Sequence, residues 1–273
     1  MARAEDTGGE PAVTDHDEDV VTLCYEGEIA VITLNRPQRM NAFGQAMRES
    51  LYERLIEVEG NTACRAIVLT GAGGNFTAGG DITEMKQRSV LEGRQKVDIL
   101  VRIFRKLVTM AQPVVCAIEG NCMGAGVSFA AASDYAVAAV NARFGVAQVK
   151  VGLLPDLGAL WSLPRRIGYR KAMELAAFGD RFDADEALRL QLVNRLCESG
   201  AALDEAVVAA KRFAQNPPVA MALIKAALNI GCDSIDQAAN TEVNFQSVLY
   251  NTEDHAEAAR AFLQKRKPQF TGK

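Results

Sequence analysis

Two glycine-rich stretches and one isolated acid stand out for what their atoms could do. "GAGGNFTAGGD" (71–81) follows the apolar run "AIVLT", and "GNCMGAG" (120–126) follows "PVVCAIE". Glycine has no Cβ, so a backbone N–H beside it can come close to a ligand. One loop at Thr77-Ala78-Gly79 and one at Gly124-Ala125-Gly126 could aim two N–H donors at a single oxygen. Paired donors of that kind stabilise the oxyanion that forms in acyl chemistry. The plainer alternative is that each stretch is a tight strand-to-helix turn.

The acid is Asp156, in "VGLLPDLGAL" (151–160), with leucines on both sides. A carboxylate among apolar side chains is costly unless paired, and its pKa rises. Such a group suits a general acid or base. A turn or helix cap after Pro155 is the alternative, since Pro-Asp is ordinary turn chemistry.

Other chemistries find little support. His16 and His255 are the only histidines, so a zinc site or a Ser-His-Asp triad lacks its parts. The six cysteines (Cys24, Cys64, Cys116, Cys122, Cys197, Cys232) form no C-x-x-C pair and read as reduced thiols of a cytoplasmic protein. A Rossmann loop needs G-x-G-x-x-G, but after Gly71 and Gly73 the third position is Phe76. No metal or redox cofactor is expected. A net charge of -4 argues against a nucleic-acid partner. Apolar runs break before about 18 residues, so no membrane span is expected. The opening "MARAEDTGGEPAVTDHDED" has no apolar core of a signal peptide, and residues 1–18 read as a disordered extension.

The elements that must carry these loops are legible in the periodicity. "VVTLCYEGEIAVITLNRP" predicts two strands joined by a turn at "EGE". "AFGQAMRESLYERLIEVEG" predicts a helix with Met47, Leu51, Leu55 and Ile56 on its buried face. "CRAIVLT" and "PVVCAIE" predict buried strands, "VDILVRIFRKLVTM" a helix, and "LVNRL" a short strand. After about residue 169 the pattern is mostly helical. With 49% apolar residues, the chain supports a substantial core. The class is α/β with a helical C-terminal extension. The division expected is 1–18 extension, 19–205 core and 206–273 helical region.

Five ordered motifs carry a resemblance: "VITLNRPQRMNAF", "RAIVLTGAGGNFTAGGDITEM", "PVVCAIEGNCMGAGVSFAAASDYAVA", "RFGVAQVKVGLLPDLGALWSLPRRIG" and "AFGDRFDADEALRLQLVNRL". Together they resemble the crotonase (enoyl-CoA hydratase/isomerase) superfamily over about residues 20–273. "GLLPD" and the ending "FLQKRKPQFTGK" are similar to the enoyl-CoA and ring-epoxide isomerases of phenylacetate degradation. The resemblance implies a spiral of ββα turns, a helical trimerisation region, and a homotrimer or hexamer. It implies an acyl-CoA thioester substrate, as in fatty acid metabolism, with coenzyme A part of the substrate and no separate cofactor. By motif, the Ala78 and Ala125 N–H groups would hold the thioester oxygen. Coenzyme A would lie along Arg39, Met40 and Ala42, and along Gly80, Asp81 and Ile82. Phe262 and Lys265 match C-terminal positions that touch coenzyme A, often across a subunit boundary. Read from the residues alone, Arg39, Lys265, Arg266 and Lys267 are either phosphate partners or a solvated helix end.

Hydratases of that family handle water with two glutamates. Ser128 and Gln148 stand at the matching positions, and neither is a carboxylate. They are left to orient substrate or water by hydrogen bonds. Asp156, eight residues past Gln148, matches an Asp that moves the proton in some isomerases of the family. The expected activity is therefore an enoyl-CoA isomerase. A hydratase (lyase) with a non-standard water site, a thioester hydrolase and a silent acyl-CoA-binding protein are the alternatives.

Overall fold

The computed structural model describes residues 19–273; the expected N-terminal extension lies outside the described residues. β1 (Val21–Glu26) and β2 (Ile29–Leu34) form an antiparallel hairpin turning at Gly27, φ 61°, where "EGE" predicts it. α1 (Gln45–Gly60) buries Met47, Leu51, Leu55 and Val58. Their spacing of four, four and three follows the helical period. Ile56, adjacent to Leu55 and so about 100° round the helix, is exposed; Val58 takes the place expected for it.

β3 (Ala66–Gly71), α2 (Val90–Thr109), β4 (Val114–Ile118), β5 (Asn121–Met123) and α3 (Ala125–Ala132) follow. A capping box starts α2: the Ser89 hydroxyl accepts from Glu92 N–H while Glu92 accepts from Ser89 N–H. Next come β6 (Tyr135–Ala139), β7 (Arg143–Gly145), α4 (Ala159–Ile167), α5 (Tyr169–Phe178), β8 (Arg181–Asp183), α6 (Ala184–Arg189) and β9 (Arg195–Cys197). Four helices close the chain: α7 (Ala202–Ala214), α8 (Pro218–Ile230), α9 (Ile235–Leu249) and α10 (Glu253–Leu263).

The main sheet has the order β1-β2-β3-β4-β6-β9, parallel from β2 onward. A second sheet has the order β5-β7-β8. Strand, short strand and helix recur as ββα turns, wound so that one turn stacks on the next. Both faces of the main sheet are covered, which is why its strands are apolar without alternation. One face packs on Met47, Leu51, Ile103 and Phe129 from α1, α2 and α3. The other presents Ile29, Val31, Val68, Val115 and Val137 to Ala202, Ala206 and Ala210 of α7. The expected 205/206 division falls inside α7, whose small residues seat it on the sheet.

α8 lies against α2, where Asn229 Nδ2 donates to the Val108 carbonyl at 2.6 Å, and buried Lys225 ties it to the turns before β4 and β6. Lys225 Nζ lies 2.7 Å from Asp134 Oδ2 and donates to the Gln112 carbonyl at 2.9 Å. The chain end folds back on α10, where buried Asp254 accepts from the Thr271 and Gly272 N–H groups. Among the described residues, no helix is long and apolar enough to cross a membrane.

Candidate active site

β3 and β4 are parallel neighbours, so the loops after them leave the same edge of the sheet. That carboxyl-end edge is where open α/β sheets place ligands. The two loops are stitched together. Phe76 N–H donates to the Glu119 carbonyl (2.7 Å), Thr77 N–H to the Asn121 carbonyl (2.8 Å), and Met123 N–H to the Thr77 carbonyl (3.0 Å). A methyl group on Gly79 would stand 3.0 Å from the Met123 carbonyl oxygen, so only glycine admits this approach. Gly124 has φ 50° and ψ −103°, a backbone conformation that disfavours any residue with a Cβ.

The amide hydrogens of the first loop can be followed one by one, and they correct an expectation. Ala78 N–H donates to the Met40 carbonyl at 2.8 Å, so it is spent. Gly79 N–H donates to Thr77 Oγ1 at 3.1 Å. Gly80 N–H meets no acceptor among the described residues. Ala125 N–H, the first of α3, is also unpaired, as helix geometry dictates at that position. The free pair is therefore Gly80 and Ala125, not Ala78 and Ala125. Local spacing cannot show this, because the acceptor that spends Ala78 comes from a distant turn.

Asp156 sits between buried Pro155 and Leu157, while Leu153 and Leu154 are exposed. The apolar run is thus a surface turn, with Leu157 at φ 50°. Asp156 does not cap α4: the N-cap is Gly158, with no side-chain cap bond. Its Oδ1 instead accepts from Gln148 Nε2 at 3.4 Å. A methyl on Gly124 would lie 3.5 Å from that same Nε2. The amide that bonds Asp156 therefore lies beside the loop that carries Ala125. Burial raises the Asp156 pKa above the ordinary carboxylate value. The Gln148 amide, its own N–H, and the Arg48 and Lys96 cations pull it down, without cancelling the rise.

Gln148 Oε1 is buried and meets no hydrogen-bond donor among the described residues. Ser128 lies one turn into α3, and its hydroxyl donates back to the Gly124 carbonyl at 3.2 Å. That proton is spent inside the helix, so Ser128 does not offer a donor to the site.

The residues expected along coenzyme A divide. Arg39, Met40, Gly80 and Ile82 are exposed and Ala42 is half-buried, around the mouth of the two loops. Asp81 is different. Its carboxylate is buried, pairs with Arg36 Nη1 at 3.2 Å and accepts from Thr83 N–H and Oγ1. Burial works to raise its pKa, but those bonds and the Arg36 charge hold it below the ordinary value. Asp81 anchors the loop. Glu84 does the same with Arg48 Nη2 at 3.3 Å. Arg48 and Lys96, whose charges reach Asp156, were not legible as site residues: both look like solvent-facing helix positions in the sequence. Phe262 is 84% exposed and Lys265 is also exposed. The segment after them is held by Arg65 Nη2 donating to the Phe270 carbonyl, beside the start of β3. That is the end of the strand opposite the loop 71–80, and neither residue bonds to the loops of its own chain.

The enoyl-CoA hydratase/isomerase family profile matches residues 25–273. This chain belongs to that family. Across 90% of its length it is 37% identical to the short-chain-enoyl-CoA hydratase of Clostridium acetobutylicum, covering 95% of that protein. It is 35% identical to the 1,2-epoxyphenylacetyl-CoA isomerase of Escherichia coli, covering 91% of this chain and 97% of that one. A solved structure of a putative enoyl-CoA hydratase from Streptomyces coelicolor superimposes with a TM-score of 0.89 at 32% identity, over 99% and 100% of the two chains. As a member of the enoyl-CoA hydratase/isomerase family, this protein has the crotonase fold and acts on acyl-CoA thioesters. The spiral described above is that fold.

Proposed function

We propose that this enzyme moves a double bond, or opens a strained ring, in an acyl-CoA thioester by a single-carboxylate proton shuttle. The thioester oxygen lies between the Gly80 and Ala125 N–H groups. Asp156 removes a proton made acidic by the thioester, and the two N–H groups hold the dienolate. The protonated Asp156 then returns the proton at another carbon. Each oxyanion donor is worth about 3 kcal/mol of barrier. The observation that carries the reading is the Asp156–Gln148 hydrogen bond, made by an amide that lies beside Gly124, while no acid occupies positions 128 or 148. Arg39, Met40, Ala42 and Ile82 form the coenzyme A face, completed by Phe262 and Lys265 of a neighbouring subunit.

A hydratase is the second reading. The orphaned Gln148 Oε1 favours it, as an acceptor that could hold a water. Purified protein incubated with a panel of 2-enoyl- and 3-enoyl-CoA thioesters, followed by mass spectrometry, separates the two. Unchanged mass with a new retention time is the expected result. Addition of water supports the hydratase, and free coenzyme A a hydrolase. Binding without any product leaves a silent acyl-CoA-binding protein.

A further inference from the structure

Thr77 is fully buried, and both halves of its side chain are in use. Its Oγ1 donates to the Asn41 carbonyl at 2.6 Å and accepts Gly79 N–H at 3.1 Å. The single hydroxyl proton is committed to Asn41, which leaves a lone pair aimed at Gly79. That bond fixes the residue immediately before Gly80. Gly79, at φ 91°, has no Cβ to steer it, and without an acceptor its N–H would be a buried orphan.

The support behind Thr77 is itself rigid. Asn41 is fully buried at φ 55°. Its Oδ1 accepts from Arg36 N–H, and its Nδ2 donates to the Ala72 and Asn75 carbonyls. On the far side, the Thr77 methyl rests against α3. A methyl on Gly126 would come within 2.9 Å of Thr77 Cγ2, so the Thr77 methyl packs directly on the bare Gly126 backbone. Gly126 directly follows Ala125. One side chain therefore spans from the residue before one free N–H to the residue after the other.

We propose that Thr77 is a positioning residue of the oxyanion hole. Its hydroxyl sets the direction of the Gly80 N–H, while its methyl only fills the space against Gly126. This rests on the reading of Gly80 and Ala125 as the donor pair. Valine keeps the shape and loses the hydroxyl; serine keeps the hydroxyl and loses the methyl.

The test is the carbonyl stretch of bound butyryl-CoA labelled with carbon-13 at the thioester carbon, in wild type, Thr77→Val, Thr77→Ala and Thr77→Ser. Wild type should shift the stretch to lower frequency. Thr77→Val and Thr77→Ala should return most of the way to the free value, and Thr77→Ser should keep most of the shift. Turnover should fall at least about tenfold in the valine variant, the scale of a weakened oxyanion donor, with KM within about threefold. The alanine variant serves if valine does not fold. A wild-type shift in both variants that lack the hydroxyl overturns the proposal, as does an equal loss in serine and valine. No shift in wild type overturns the donor-pair reading itself, so the two failures are told apart.

Discussion

Asp156 ionises in surroundings that resist its charge, and this has consequences for both rate and stability. Its pKa is raised by burial, so the basic form appears at higher pH than for an ordinary aspartate. The acid limb of kcat/KM should lie above about pH 4, the unperturbed aspartate value. A pH–rate profile that stays flat through that region contradicts the assignment. The stability effect has the opposite sense to a salt-bridged acid. A raised folded pKa means that folding favours the proton, so this group's contribution is fully present below about pH 4 and is lost as pH rises through the folded value. The melting temperature of Asp156→Asn, relative to wild type, should therefore rise as pH increases from about 4 to about 7. At this scale the sequence was informative where a residue type was out of place. An acid between leucines, and Ser128 and Gln148 where carboxylates were expected, single out Asp156 as the candidate proton carrier. It was misleading where the answer depended on which N–H remained unspent: only the Met40 carbonyl removes Ala78 from the donor pair. Arg48 and Lys96 carried no signal, because a cation on a helix reads as solvated.

Among the elements, α8 is tied down by one buried lysine. Burial pulls the Lys225 pKa down, and the Asp134 carboxylate pulls it back up, so the pair is held in dry surroundings. Lys225→Met would leave Asp134 with its Val114 N–H bond but no cation, and the Gln112 carbonyl without its donor. Breaking one partner of a buried pair costs about 3 kcal/mol or more. The variant should melt several degrees lower, and a melt at the wild-type temperature would contradict the role. The strands and helices themselves were legible, because β2, β3 and β4 are short runs dominated by apolar residues and α1 repeats at helical spacing. What failed was finer. Leu55 and Ile56 cannot share a face, and α7 reads as part of a helical tail although its alanines pack on the sheet. Only the tertiary partner tells a sheet-covering helix from an extension.

Taken as one chain, the molecule leaves large apolar side chains in water. Ile235 is 87% exposed, Leu263 82% and Leu228 77%, all in the C-terminal helices. A lone domain does not ordinarily carry such a surface. The expected assembly is a trimer or hexamer, three or six times the 29.4 kDa chain by light scattering at micromolar protein. A sharp monomer mass contradicts it. Phe262 and Lys265, both exposed on this chain, are the residues that the proposed assembly would bring to a neighbouring site. The central claim, that one carboxylate carries the proton, is tested most directly by Asp156→Asn. The measurement is conversion of a 3-enoyl-CoA to its 2-enoyl isomer by both proteins, alongside the dissociation constant of each for the thioester. The mutation keeps size and hydrogen bonding and removes the base, so turnover should fall about 100-fold or more while affinity stays within about twofold. Near-wild-type turnover with intact binding would contradict it.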